Sequence, residues 1–565
     1  MDNSKPDLNR ARRILGVLLQ PEKGFLRVAV IYGIIISLLT LSVPIAVQTL
    51  INTVANIASV RAIFILSSIL FALLLLSGVL TAMRTRVMEI YERHVYATLT
   101  SRLSLQMIMA PHSVFEGHRN FTLAQRYFDI MILQKNIPAL VIDGFALVLQ
   151  LVVGFTLVSF YHPMLFAFNL VVVATIYLLW LLFSRGAKQT AIKLSTAKYE
   201  AAKWLSSVTS AHEFFQSGRH LDFAGKSSES RIASYIDAHR SHFRFTFSQV
   251  LGFLLLYAVA SASLLGLGGW LVIQGELSIG QLVAAELIMF AVFFGLTQFT
   301  NYLKMYYELY GAADKLGQIL ELPQDELEED PLLAPADGSL ICDSLEYSNQ
   351  GHKVSLSFTL EAGAKAFVTS DVSWVQRDFV KLLKLQSAPD RGWLRIGNRE
   401  FSEYDSYGLR HDVFFVDRSL IIECTIKQYL LMAAPNANIG MATGILDQLD
   451  ISEHVQEFPD KLDTGLSAQG APLMPTEFLL LKLTAAILAQ PKIIVLNQDI
   501  DNLPNSLREK VIDTLSEQEF SVLYFTNQPV DGRFDGVLEL TAHGDGNASK
   551  GVVVTSSKQS EKVTA

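Results

Sequence analysis

The sequence predicts a six-helix transmembrane bundle with long helical extensions, followed by an α/β domain. Half of the 565 residues are hydrophobic and 18% are charged, which is more apolar than soluble domains usually are. The apolar residues concentrate in the first half of the chain, and strand-like and helical runs alternate in the second half. The net charge of -8 shows no general basic bias, so no nucleic-acid partner is expected.

Six apolar segments are long enough to cross a bilayer, whose hydrocarbon core needs about 20 helical residues. Lysine and arginine residues collect in the N-terminal segment and in two long arms, whereas the three short connections hold a single arginine, Arg61. The bias of positive residues toward the cytoplasm therefore predicts that both termini are cytoplasmic. The six segments cover roughly residues 25–50, 62–83, 137–160, 164–184, 245–273 and 280–307.

The two arms follow the second and the fourth apolar segments. Away from the apex of each arm, stretches such as "AIKLSTAKYEAAKWLSSV" contain no proline or glycine that would break a helix. Each arm is interrupted near its apex, at "APHSVFEGHRNF" and at "TSAHEFFQSGRH". This pattern predicts membrane helices that continue into the cytoplasm, with a break near the apex of each hairpin.

Two ionisable residues within the apolar segments are candidates for a functional role. Asp143 lies in "PALVIDGFALVLQ" and Glu286 in "QLVAAELIMF". Such residues usually face the interior of a helix bundle or a water-filled cavity. Contact with a substrate or a proton is one interpretation, and hydrogen bonding between helices is the other.

This organisation resembles the type I exporter half of the ATP-binding cassette (ABC) superfamily. The stretch "GWLVIQGELSIGQLVAAELI" is similar to the hairpin of the fifth and sixth helices in toxin and peptide exporters. The resemblance implies an exporter membrane domain joined to an α/β P-loop-type nucleotide-binding domain. The implied segments are a cytoplasmic N-terminal segment at 1–24, a transmembrane domain at 25–310, a linker at 311–337, a nucleotide-binding domain at 338–545 and a disordered tail at 546–565.

The resemblance also locates a phosphate loop that has lost its defining residues. A loop of the form G-x-x-x-x-G-K-[ST] binds phosphates with backbone N–H groups and a lysine, and binds Mg²⁺ with a hydroxyl. This chain has "SDVSWVQR" at the corresponding place. Ser370 and Val375 stand at the glycine positions, Gln376 at the lysine position and Arg377 at the hydroxyl position.

The other nucleotide motifs of the family are replaced as well. Asn497 and Gln498 stand where the family has an aspartate for Mg²⁺ and a glutamate as general base, and amides cannot act as a base near neutral pH. Asn527 replaces the histidine that contacts the terminal phosphate, and Asp417 replaces the glutamine that senses Mg²⁺. Tyr347 has the position of an adenine-stacking aromatic. The signature "LSGGQ" corresponds to "LMPTE", residues 473–477.

The altered loop has two interpretations. The residues "SWVQ" fit a capping box, in which side chains satisfy the first N–H groups of a helix. Ser373, Gln376 or Asp371 would then occupy the donors that a phosphate otherwise takes, and Arg377 would supply positive charge internally. The alternative is an ordinary surface loop without such a role.

In this family each ATP site combines the phosphate loop of one chain with the signature of the other, so the resemblance implies a non-catalytic half of a heterodimeric exporter. The expected partners are a second ABC half-transporter, the lipid bilayer and a periplasmic adaptor, and the expected location is a bacterial inner membrane. No cofactor or metal is expected in this chain, because ATP and Mg²⁺ would be held by the partner. The alternative is a membrane regulatory or interaction protein that uses the ABC fold as a scaffold.

Overall fold

A computed structural model describes residues 8–19, 23–40, 45–50, 60–115, 120–325, 334–349, 352–370, 373–528, 532–540 and 552–554. The chain divides into two compact units, residues 1–325 and 326–565. The helices of the first unit are α1 (Leu8–Leu19), α2 (Lys23–Thr40), α3 (Val60–Ile108), α4 (His112–Phe115), α5 (Asn120–Gln125), α6 (Phe128–Pro138), α7 (Phe145–Ser159), α8 (Pro163–Ser210), α9 (His212–Phe215), α10 (Gly218–Ile273) and α11 (Ile279–Leu320).

Four of these helices are much longer than a bilayer is thick. Helices α3, α8, α10 and α11 have 49, 48, 56 and 42 residues. At 1.5 Å per residue the longest extends for about 84 Å, whereas the hydrocarbon core is about 30 Å thick. The predicted continuation of apolar helices into polar arms is therefore confirmed. The short helices α4 and α9 lie at the two predicted breaks.

Five helical stretches of the described residues are long and apolar enough to cross a membrane: Ile63–Ile108, Leu123–Ser159, Pro163–Ser210, Gly218–Ile273 and Ile279–Leu320. The first predicted span, 25–50, coincides with α2 and also includes residues 41–44, which lie outside the described residues. Half of the most apolar stretch of α11 is buried inside the unit, whereas none of the most apolar stretch of α3 is buried. Helix α11 is therefore the central helix of the bundle.

The helix of the third predicted span changes its hydrogen-bonding pattern along its length. Helix α6 ends at Pro138, a π-helical turn covers Ala139–Gly144, and α7 continues to Ser159. Proline has no N–H to donate, so regular helical bonding is lost at Pro138. Isolated π turns within helices are frequent at functional sites, and this one contains Asp143.

The boundary predicted between the membrane domain and the linker is wrong. Helix α11 continues through residue 311 to Leu320, and most residues of this last part are buried. Helix α1 packs against it, and a Cβ added to Gly317 would lie 2.9 Å from Ile14. Arg10 Nε lies 2.8 Å from Glu321 Oε2, and Arg13 pairs with the same carboxylate. The predicted N-terminal segment therefore contains a docked helix.

The described part of the second unit contains three sheets. The strands are β1 (Leu340–Asn349), β2 (His352–Leu360), β3 (Lys365–Ser370), β4 (Arg391–Ile396), β5 (Arg399–Glu400), β6 (Val413–Val416), β7 (Cys424–Thr425), β8 (Gly465–Leu466), β9 (Ile493–Leu496), β10 (Ser521–Phe525), β11 (Gly536–Leu540) and β12 (Val552–Val554). One sheet has the order β12-β2-β1-β4-β5 and is antiparallel except for the parallel pair of β12 and β2. The parallel sheet has the order β11-β3-β10-β9-β6, and β7 and β8 form a small antiparallel sheet.

The core of this unit surrounds strand β9, whose four residues are all buried. The helices are α12 (Ser373–Leu383), α13 (Ser406–Asp412), α14 (Ile426–Ala433), α15 (Ile439–Gln448), α16 (Ser452–Glu457), α17 (Pro475–Ala489) and α18 (Asn505–Ser516). Residues 478–488 of α17 are buried without interruption. A helix that is apolar on all sides lies inside a fold, so α17 is an internal helix of the unit.

The prediction of a disordered tail at 546–565 is wrong for three residues. Val552, Val553 and Val554 form β12 and pair in parallel with Phe358, Thr359 and Leu360 of β2. Consecutive β-branched residues favour a strand, and β12 lies at the edge of its sheet. The rest of the predicted tail lies outside the described residues.

We expect Gly154→Ala to destabilise the membrane unit. Gly154 is buried on α7, and a Cβ there would lie 2.5 Å from Val292 Cγ2 on α11. Overpacking of this kind costs about 1–3 kcal/mol. Thermal unfolding of the full chain in detergent should show a lower midpoint.

Gly78→Ala is the matched control, because nothing lies within 4 Å of a Cβ at Gly78. Alanine is favoured over glycine in a helix by about 1 kcal/mol, so this variant should unfold at the same or a higher temperature. An unchanged midpoint for Gly154→Ala would contradict close packing of α7 on α11.

Candidate functional site

The residues at the nucleotide-motif positions meet at one edge of the parallel sheet. Ser370 ends β3, Asp417 follows β6, Asn497 follows β9, and Asn527 lies two residues after β10. These strands run parallel and are neighbours in the sheet. Ligands of open α/β sheets bind outside the carboxyl ends of the strands. The topology therefore brings the predicted residues together.

Gln376 and Asn497 are hydrogen-bonded to each other. Gln376 lies in the first turn of α12, is 4% exposed, and donates from Nε2 to Asn497 Oδ1 over 2.7 Å. Asn497 Oδ1 also accepts the backbone N–H of Gln498 at 2.8 Å, and Asn497 Nδ2 donates to Asp499 at 2.9 Å. The residues at the lysine and Mg²⁺-ligand positions thus satisfy one another through neutral amides.

The end of this network carries an ion pair. Asp499 Oδ1 lies 3.0 Å from Arg418 Nε, so its carboxylate is paired on one oxygen and hydrogen-bonded on the other. Gln498 begins a short 3₁₀ turn, Gln498–Asn502, and is half-buried. Neither Asp499 nor Arg418 was predicted, because no motif of the family singles out these positions.

Val375 and Tyr347 are packed inside the domain. Val375 is fully buried, and its carbonyl oxygen accepts the Tyr347 hydroxyl at 2.9 Å. The Tyr347 ring is 5% exposed and contacts the edge of Trp374, with ring centroids 6.5 Å apart. The prediction that Tyr347 stacks on adenine is wrong for this structure, because the ring offers no exposed face.

Arg377 points away from the loop. Its side chain is 67% exposed, and its Nε lies 3.8 Å from Asp378 Oδ1. The expectation that Arg377 supplies internal positive charge is therefore wrong. Asp371 and the side chain of Ser373 lie outside the described residues, so their capping role stays a prediction.

Asp417 is held by two lysines. Lys384 Nζ lies 2.8 Å from Asp417 Oδ2, and the Ser419 N–H donates to Oδ1 at 2.9 Å. Lys482 donates to the Asp417 backbone carbonyl at 2.9 Å and also to Ser419. Burial raises the pKa of Asp417, but Lys384 and the Ser419 hydrogen bonds outweigh it, so this pKa lies below its usual value.

Asn527 exposes its side chain, while its backbone is anchored to Asp501. The Asn527 N–H donates to Asp501 Oδ2 at 2.9 Å. Asp501 Oδ1 accepts the hydroxyls of Tyr524 and Thr526, each at 2.8 Å. Sequence reasoning missed Asp501, because its role depends on β10 lying beside β9.

In the signature segment, residues 473–477, the Glu477 side chain contacts the Met474 backbone and His454. The Met474 N–H donates to Glu477 Oε2 at 2.8 Å, and His454 Nε2 lies 3.5 Å from Glu477 Oε1. Pro475 has no N–H, and it starts helix α17. The N–H of Met474 is therefore already engaged and Pro475 has none, whereas the serine and glycines of "LSGGQ" each have a backbone N–H.

The two ionisable residues of the membrane segments have different surroundings. Asp143 Oδ1 lies 3.4 Å from Arg84 Nε on α3, and each side chain is about a quarter exposed, which favours the interpretation of pairing between helices. Glu286 on α11 is half-buried, and its Oε1 has no hydrogen-bond partner among the described residues.

Long apolar helices with two extended hairpins, followed in sequence by an α/β domain with a parallel and an antiparallel sheet, are the elements of the type I ABC exporter fold. Residues 26–297 match the family described as the ABC transporter transmembrane region. The structure aligns with that of a bacterial Atm1-family ABC exporter with ATP bound, with a TM-score of 0.79 and 13% identity, over 92% of this chain and 93% of the other.

Curated relatives agree with this assignment. The chain is 21% identical to the ABC multidrug transporter mdr2 of Aspergillus fumigatus over 85% of its length, and spans 63% of that protein. It is also 19% identical to the alpha-hemolysin translocation ATP-binding protein HlyB of Escherichia coli. That alignment covers 82% of this chain and 66% of HlyB. The chain is thus an integral membrane protein with the fold of a type I ABC exporter, and it spans less than two thirds of each of these relatives.

We expect Asp417→Asn to destabilise the second unit in a pH-dependent way. The folded pKa of Asp417 lies below the unfolded value of about 3.9. The ionised Asp417 side chain therefore contributes its full stabilisation above the unfolded pKa. This stabilisation is lost as the pH falls through the folded pKa. Thermal unfolding at pH 7 should show a loss of about 1–3 kcal/mol, which shrinks below about pH 4.

The control is Asp450→Asn, because Asp450 forms an ion pair with Lys510 in which both side chains are about half exposed. Exposed pairs contribute about 0–1 kcal/mol, so this variant should unfold close to wild type at both pH values. Equal effects of the two substitutions would contradict the role assigned to the Lys384 pairing.

A double-mutant cycle on Arg84 and Asp143 separates pairing from a substrate role. Each single variant, Arg84→Gln or Asp143→Asn, leaves one partly buried charge unpaired and should lower the unfolding midpoint. The double variant should recover part of the loss, because coupling between contacting residues is typically about 0.5–3 kcal/mol. Additive losses in thermal unfolding would show that the two side chains are not coupled.

Proposed function

We propose that this chain is the ATPase-deficient half of a heterodimeric ABC exporter. It would supply half of the translocation path, and a second half-transporter would bind and hydrolyse ATP. The observation that carries the proposal is the 2.7 Å hydrogen bond between Gln376 Nε2 and Asn497 Oδ1. It joins the positions at which the family holds a phosphate-binding lysine and a Mg²⁺-binding aspartate.

The side chains at this edge do not fit ATP with Mg²⁺. Lysine neutralises phosphate charge, and a carboxylate binds Mg²⁺, but the Gln376 and Asn497 amides carry no charge. The nearby carboxylates are already paired, Asp499 with Arg418 and Asp417 with Lys384. A nucleotide would have to break these contacts before it gained any of its usual ones.

The proposed partner follows from the composite ATP sites that the resemblance implies. A homodimer would combine "SDVSWVQR" with "LMPTE" at both sites, and both segments lack the family's residues. In a heterodimer the partner would contribute its own motifs. Nucleotide-dependent closure of the partner would then drive transport through the membrane path that the two chains form together. We further propose a bacterial inner membrane with both termini cytoplasmic, and a periplasmic adaptor as an additional partner.

The relatives support an export role without identifying a cargo. One carries the name of a multidrug transporter and another that of a toxin translocation protein, so cargo class differs among proteins of similar fold. Function has to be argued from a site rather than from a fold. We therefore propose which chain binds and hydrolyses ATP, and no particular cargo.

The test is photolabelling of the intact complex, purified from native membranes with a tag on this chain. Incubation with radioactive 8-azido-ATP and Mg²⁺, followed by irradiation and separation of the chains, shows which chain binds nucleotide. We expect one copurified ABC half to carry all of the label above background, because this chain lacks the charged groups that bind phosphate and Mg²⁺. Excess unlabelled ATP should remove that label.

Two results would contradict the proposal. Label on this chain that unlabelled ATP removes would show that it binds nucleotide itself. Native mass spectrometry that found only a homodimer, or a complex without an ABC partner, would overturn the heterodimer and favour a regulatory scaffold.

A further inference from the structure

Helices α6 and α11 line a groove in the first unit. Its volume is about 450 Å³, within the range of about 300–1,000 Å³ typical of small-molecule sites. Lys135 lies just before the predicted span 137–160, and Lys304 lies near the end of the predicted span 280–307. The groove is therefore located where the apolar part of the bundle gives way to its polar extensions.

The polar side of the groove carries two lysines and one carboxylate. Asn136 is 4% exposed and donates from Nδ2 to Glu308 Oε2 at 3.1 Å, so the carboxylate is engaged by a buried amide. Lys135 and Lys304 are exposed, and among the described residues no carboxylate oxygen lies within 4.0 Å of either ammonium. The residues that line the groove therefore include two lysines and one carboxylate, a net charge of one positive unit.

The other side of the groove is apolar and adaptable. Met131 on α6 and Met305 on α11 line it together with Ile132. Methionine is flexible and polarisable, and it accommodates hydrocarbon chains of different shapes. A positive end and an apolar wall in one groove match a molecule that joins an acidic head to a hydrocarbon tail.

We propose that this groove binds an anionic amphiphile. Lys135 and Lys304 bind its phosphate or carboxylate head by charge-assisted hydrogen bonds, and Met131 and Met305 contact its hydrocarbon chain. The hydrogen bond from Asn136 to Glu308 joins α6 to α11 and engages one oxygen of the carboxylate in the groove. The head group can come from a membrane lipid or from an amphiphile dissolved in water, because the chemistry of recognition is the same.

This site goes beyond the proposed function and does not depend on it. Gln376 and Asn497, which carry that proposal, lie in the other unit of the chain. Failure of amphiphile binding would leave the question of nucleotide binding open, and nucleotide binding by this chain would leave the groove unaffected.

The experiment measures binding of radioactive dodecyl phosphate to the full chain, with its partner if one copurifies, in nanodiscs of phosphatidylcholine. The result expected is saturable binding to one site per chain, above that of empty nanodiscs. The double variant Lys135→Gln with Lys304→Gln should weaken it by about tenfold or more, since two charge-assisted contacts are lost. Dodecylphosphocholine, whose added ammonium faces the lysines, should compete poorly.

The matched control replaces Lys193 and Lys203 by glutamine. Both lie on α8 outside the lining of the groove, and their loss removes the same net charge. Repetition in nanodiscs containing phosphatidylglycerol distinguishes the sources, because lipid already in the groove would block dodecyl phosphate, whereas a site for dissolved amphiphiles would still bind it. The absence of saturable binding in phosphatidylcholine, or an equal loss in both double variants, would overturn the proposal.

Discussion

The first unit depends on the requirement that every backbone N–H and C=O inside a bilayer be bonded within the protein. Continuous helices meet this requirement, and α8, α10 and α11 continue the same bonding beyond the apolar spans without a break. Each of them is therefore both a membrane helix and part of an arm. A π turn, Ala139–Gly144, changes the pattern of these bonds after Pro138, and it begins three residues after Asn136 of the groove.

The second unit depends on a different constraint, the convergence of parallel strands at one edge. Residues far apart in sequence, such as Gln376 and Asn497, become neighbours because β3, β10 and β9 are adjacent. The edge is polar, and polar groups that leave water must find partners. In this chain those partners include other side chains, as in the hydrogen bonds from Gln376 to Asn497 and from Asn497 to Asp499.

Replacement of charged residues by amides has an energetic consequence. A lysine and an aspartate at these two positions would bring two charges to a partly buried edge at a desolvation cost, whereas the neutral glutamine and asparagine are joined by one hydrogen bond at 2.7 Å. Charges that remain nearby are paired locally, as in Lys384 with Asp417. The two lysines of the membrane groove differ from Lys384, because neither has a carboxylate within ion-pair distance among the described residues.

The sequence by itself determined the class of fold. The length of the apolar segments, the distribution of lysine and arginine and the helix-forming composition of the arms are local properties, which can be read without knowing any tertiary contact. It also singled out Gln376, Asp417, Asn497 and Asn527, which lie at or near one edge of the parallel sheet. It could not determine their partners: Tyr347 is an aromatic at the expected position, but its burial beneath Trp374 depends on packing of α12. The interactions of Arg377 and Asp501, the extension of α11 beyond residue 311 and the pairing of β12 were likewise decided by the tertiary structure, because each depends on a surface that only the folded chain assembles.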